Sequence, residues 1–109
     1  MKKIYYRKLI RDKIPEIINS KGGEFKTRIL LKGEFEKELR KKLLEESKEL
    51  LKAPRKDLVN ELSDVLEVLK SIASYYKISF KKIEKYQIKK RKERGGFKKR
   101  LFLVWSSDK

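Results

Sequence analysis

Apolar residues recur at helical spacing along two long stretches of this chain. At about 100° per residue, Phe35, Leu39, Leu43 and Leu50 fall on one face, with Lys37, Lys41, Lys48 and Lys52 opposite. That pattern predicts an amphipathic helix over residues 34–52. Ala53, Pro54 and Arg55 form the turn, because proline discourages helix in the residue before it. A second helix follows from Asp57 to about Tyr76, with Leu58, Leu62, Val65, Val68, Leu69 and Ile72 as its apolar face. A link this short makes the two helices antiparallel neighbours. A short helix over 14–20 takes Pro15 in its first turn and ends at Lys21, Gly22 and Gly23. A further helix over 79–93 has Ser79 as N-cap and Ile83, Tyr86 and Ile88 as its apolar side.

The periodicity changes at "FKTRILL" (25–31) and "RLFLVW" (100–105). Both read as short strands that could pair, the first broken by Gly33. Residues 1–12 show no clear period. The expectation is a mainly α fold of antiparallel helices with a small two-stranded β element. One domain spans residues 1–109, and its basic C-terminal segment covers 89–109.

Composition sharpens this picture. Charged residues make up 44% of the 109, well above the usual quarter, so the core must come from narrow helical stripes. There is no cysteine and no histidine. Disulfides, thiolate zinc sites, cysteine nucleophiles and histidine-based acid/base steps are therefore excluded, leaving carboxylates, cations, hydroxyls and a metal. No apolar run approaches the roughly 20 residues of a membrane span, and the N-terminus is charged throughout. A cytoplasmic protein with no membrane partner is expected. Abundant Lys and Glu, with two Asn, one Gln and one Met, is a thermophile-like bias.

The formal net charge is +16, and the sign suggests a polyanionic partner. Its distribution says more. Ten of the sixteen acids lie between Glu34 and Glu67, whereas twelve Lys or Arg between Lys77 and Arg100 face only Glu84 and Glu93.

Glu46 and Glu49 form E-x-x-E on the first long helix, and Glu61 and Asp64 form E-x-x-D on the second. A spacing of three places each pair on adjoining points of one face. Glu46 interrupts the apolar stripe of Leu39, Leu43 and Leu50, with Glu49 at its edge. Glu61 lies within the arc of Val65, Val68 and Ile72, with Asp64 just outside. A buried carboxylate costs several kcal/mol unless paired or bound to metal, and like charges add repulsion. A hard cation, Mg2+ or alternatively Mn2+, meets that need. The plainer alternative is solvated acids, or a buried ion pair with Lys42, which lies four residues before Glu46. Glu45 points more toward solvent.

The run "KLLEESKELLKA…DLVNELSDVLEVLKSI" resembles the core of the MazG-like nucleotide pyrophosphohydrolases, whose pattern is E-E-x-x-E, a gap, then E-x-x-D. Here these are Glu45, Glu46, Glu49, Glu61 and Asp64. "YYRKLIRDKIPEII" and "KKRKERGGFKKRLFL" resemble the opening and ending of a short subgroup labelled phosphoribosyl-ATP pyrophosphohydrolase-like, so the likeness covers about residues 4–104. Arg7 stands where the opening pattern has asparagine. The resemblance implies an all-α core, a dimer or higher oligomer, magnesium held by Glu46, Glu49, Glu61 and Asp64, and cleavage of nucleoside triphosphates to the monophosphate and pyrophosphate. House-cleaning of noncanonical nucleotides is one such role.

On that reading a metal-bound water attacks phosphorus, and a carboxylate not fully engaged as a ligand, Glu49, accepts its proton. Lys42, Arg11, Lys13, Lys90, Arg91 and Arg94 are the candidate phosphate-binding residues. The rival reading is a basic, nucleic-acid-binding helical protein without catalysis. It accounts for the charge of 77–100 but not for acids turned toward a helix interface.

Overall fold

The computed structural model describes residues 2–107. The chain divides into two compact units, Met1–Lys77 and Ile78–Lys109. The first unit holds α1 (Ile14–Ser20), α2 (Lys32–Lys52), a 3-10 turn at Arg55–Asp57, and α3 (Leu58–Tyr75); the second holds α4 (Phe80–Arg94).

Helices α1 and α2 begin and end for local reasons. Pro15 sits in the first turn of α1, where its missing N–H costs nothing. The chain leaves α1 through Gly22, whose φ of +75° is a backbone conformation that glycine adopts without penalty. At the start of α2 the Glu34 carboxylate accepts the Leu31 N–H at 3.3 Å, and it receives two bonds from Arg28, at 3.1 and 2.7 Å. The Arg28 guanidinium, then the Leu31 amide, draw the Glu34 pKa down to about 2. This anchor lets α2 begin at Lys32, so Gly33 lies inside the helix rather than breaking a strand. Ala53 ends α2 in an extended conformation (ψ 130°), as the following Pro54 requires.

Contacts at the ends of α2 and α3 fix their antiparallel pairing. The Tyr75 hydroxyl, at the end of α3, donates to the Lys32 carbonyl at the start of α2 (3.2 Å). The Tyr75 ring packs edge-on to Phe35 with centroids 5.6 Å apart. Tyr76 donates from its hydroxyl to Glu36 and accepts from Arg40. Leu39, Val68 and Ala73 are the buried residues of the described chain. Burying a Leu or Val contributes about 1.5–3 kcal/mol, so this is a small core.

Sequence and structure part company at four further places. No strand forms among the described residues, and 25–31 and 100–105 run as irregular chain. Ile29 and Leu101 are almost fully exposed, so no burial offsets the cost of ordering a two-stranded ribbon. Ser79 occupies the N-cap of α4, yet its hydroxyl makes no capping bond. Ile83, Tyr86 and Ile88 of α4 are exposed rather than core. On α3, Leu62 and Leu69 face outward, because α2 covers only part of a broad apolar arc. With Val59 and Leu66 they form an exposed row at i, i+3, i+7 and i+10. No helix of the described chain is long and apolar enough to cross a membrane.

Candidate metal centre

Glu46 on α2 and Glu61 and Asp64 on α3 converge across the helix pair. Each offers one carboxylate oxygen, and the three oxygens lie within 4.8 Å of one another. All three residues are half-buried. The convergence follows from the antiparallel pairing. Glu46 is seven residues, about two turns, beyond the buried Leu39, and Glu61 is seven residues before the buried Val68. The same seam that packs the apolar residues therefore brings the acids face to face.

Mutual repulsion is visible in Glu61. Partial burial, then the negative charges of Asp64, Glu49 and Glu46, push its pKa above the ordinary value of 4.5. Glu49, one turn beyond Glu46, is exposed and stands outside the group of three, although its charge acts on Glu61.

Three cations surround the acids. Arg11, in the opening segment, reaches the Asp64 carboxylate at 2.8 Å. Lys8, in the same segment, lies 3.3 Å from Glu45. Lys42 is only 16% exposed and sits 3.2 Å from Glu45 and 3.6 Å from Glu46. Burial pushes the Glu45 carboxyl up, but the Lys42 and Lys8 ammoniums outweigh it and hold it below its ordinary value. Glu45, Glu46 and Asp64 are thus the acids that these cations reach. Glu49 and Glu61 make no ion pair among the described residues.

The donor set suits a hard ion. Mg2+ takes oxygen ligands at about 2.0–2.1 Å, which places two ligands of one ion at most about 4.2 Å apart. Adjacent ligands of one such ion lie about 2.9 Å apart, so the three oxygens, within 4.8 Å of one another, draw closer to share it. No soft ligand competes, because the chain lacks cysteine and histidine.

The remaining sequence candidates are placed as follows. Arg11, a candidate phosphate ligand, pairs with Asp64. Lys42 pairs with the acids. Lys13 is exposed at the N-terminal boundary of α1 and makes no ion pair among the described residues. Lys90, Arg91 and Arg94 lie exposed on α4 in the second unit. Lys8 carries no signal in the sequence that marks it as part of this site. Its partner is 37 residues away, in a region where the sequence has no period to fix direction. Comparison of the chain with protein-family models, curated proteins and solved structures finds no match.

Proposed function

We propose that this protein is a metal-dependent hydrolase that cleaves a nucleoside triphosphate, or a related nucleotide, to the monophosphate and pyrophosphate. The observation that carries the reading is the meeting of Glu46, Glu61 and Asp64 across α2 and α3. The motif order that resembles the MazG-like enzymes supplies the substrate class.

In this reading Glu46, Glu61 and Asp64 hold Mg2+, or Mn2+ in its place, and Glu49 completes the set from the exposed edge. The bound ion supplies Lewis acidity toward phosphate oxygens and an acidified water. Arg11 fixes the rotamer of Asp64 through one oxygen and leaves the other free for a ligand role. Lys42 holds Glu46 in the same manner from beneath. Glu49, exposed and free of ion pairs among the described residues, accepts the proton from the attacking water. Self-association belongs to the same proposal. The exposed row Val59, Leu62, Leu66 and Leu69 has coiled-coil spacing and suits a homodimer or tetramer.

The test is a panel of nucleotides, ordinary and noncanonical, with Mg2+ and pyrophosphate release as the readout. Activity should require the ion, and Glu61→Gln should lower kcat by at least about a hundredfold while the helical circular-dichroism signal is kept. Pyrophosphate release from no nucleotide in the panel, or an unaltered rate in Glu61→Gln, contradicts the proposal.

A further inference from the structure

The second unit concentrates a different chemistry. Eight of the fifteen residues of α4 are Lys or Arg, against Glu84 and Glu93. At 100° per residue, Lys81, Lys82, Lys85, Lys89 and Lys92 fall within an arc of about 100°, making a row along one side of the helix. Lys85, Lys89 and Lys92 line an open depression of about 350 Å³ together with Tyr86 and Ile88. None of the cations of α4 enters an ion pair among the described residues, in contrast to Lys8, Arg11 and Lys42 of the first unit. After the helix come Lys98, Lys99 and Arg100, and three aromatic rings lie open to solvent: Phe97 (97% exposed), Phe102 (89%) and Trp105 (79%).

We propose that this unit binds single-stranded nucleic acid, with the α4 lysine row on the phosphates and Phe97, Phe102 and Trp105 as surfaces on which unpaired bases stack. Uncompensated cations call for a polyanion, and binding then releases condensed counterions. Exposed aromatic rings beside a basic track select bases whose faces are free, which a duplex keeps stacked inside. An anionic membrane surface is the other occupant to consider. It requires a helix with one continuous apolar face, and α4 has none: Ile83 and Ile88 lie about 140° apart around the axis. This inference does not depend on the metal-centre reading, since it uses none of the same residues.

Trp105 is the only tryptophan of the chain, so its fluorescence reports the contact directly. The full-length protein is titrated in EDTA with a 15-nucleotide oligo-dT, an oligo-U of equal length, a duplex of equal length, inorganic polyphosphate and phosphatidylserine vesicles. The expected result is saturable quenching of Trp105 by the single strands, with affinity at least tenfold above that for the duplex or polyphosphate. The triple variant K85Q/K89Q/K92Q should flatten the slope of log K against log salt by about 2, at about 0.7 per lost phosphate contact. Trp105→Ala, followed by anisotropy of a labelled oligonucleotide, should weaken binding about tenfold. All four side chains are exposed, so folding is retained. Equal binding of duplex or polyphosphate without quenching reduces the unit to a nonspecific cation patch and overturns the proposal. So does an unchanged salt slope in the triple variant. A blue shift of Trp105 on vesicles at a salt concentration where oligonucleotides fail to bind assigns the unit to membranes instead.

Discussion

The two units handle charge in opposite ways. In the first, cations and carboxylates from distant parts of the chain interlock: Lys8 with Glu45, Arg11 with Asp64, and Lys42 with Glu45 and Glu46. The same unit holds the buried residues of the described chain, Leu39, Val68 and Ala73. In the second unit no described residue is buried, and α4 makes no ion pair among the described residues. Charge therefore acts as architecture in one region and as open surface in the other. Substitutions in the first should change folding and ion binding together, whereas those in the second should change only what the surface attracts.

The contrast can be broken most severely in the core. Leu39→Ala removes a residue that is 4% exposed in a core of three, and should cost about 2–5 kcal/mol. Ile88→Ala on the exposed face of α4 should stay within about 0.5 kcal/mol. Urea denaturation followed by circular dichroism measures both. Similar losses for the two variants would erase the distinction between the units.

Within the first unit, two glutamates should respond to pH with opposite signs. The Glu34 pKa is held down to about 2, so its contribution to stability is complete above 4.5 and is lost as pH falls toward 2. Glu61 is shifted upward by burial and its acidic neighbours, so its ionised form opposes folding. That penalty is present at neutral pH and is relieved as pH falls toward 4.5. In EDTA, Glu61→Gln should therefore melt above wild type at pH 7, and the gap should close near pH 4. Glu34→Gln should melt below wild type at pH 7, and its gap should close only near pH 2. Melts across that range at fixed ionic strength check both signs.

The smallest effect concerns Arg7. Its φ of +47° is uncommon for a residue with a side chain, and asparagine tolerates it better. Arg7 is retained there with its guanidinium 5.3 Å from the centre of the Tyr5 ring, an exposed contact of about 0.5–1 kcal/mol. Arg7→Asn should be nearly neutral in the wild type and stabilising by about 0.5 kcal/mol in a Tyr5→Leu background. A double-mutant cycle of thermal melts resolves the two contributions.

How much of this was legible in the sequence depended on whether a signal was local. The helical periods of Leu39, Leu43, Val65 and Val68 located α2 and α3 to within two residues, because amphipathic spacing is written in neighbouring positions. The acids were legible for the same reason: Glu46 and Glu61 break an apolar period. Glu49 followed the motif but lies at the exposed edge, outside the three that converge. The strands expected at 25–31 and 100–105 do not form, since β-branched and apolar content does not say whether a partner strand exists. Gly33 lies within α2 because the Arg28–Glu34 anchor that starts the helix joins residues on both sides of it. The outward turn of Leu62 and Leu69 depends on how much of α3 its neighbour covers, which no single helix records. The pairing of Arg11 with Asp64 spans 53 residues and left no local trace.

The proposed function stands or falls on whether Glu46, Glu61 and Asp64 bind a divalent ion. Calorimetric titration of the wild type, Glu61→Gln and K85Q/K89Q/K92Q with Mg2+, repeated with Mn2+, tests it most directly. Binding should be saturable in the wild type, at least tenfold weaker in Glu61→Gln and unchanged in the lysine variant. Absence of saturable binding, or equal affinity in wild type and Glu61→Gln, would contradict it.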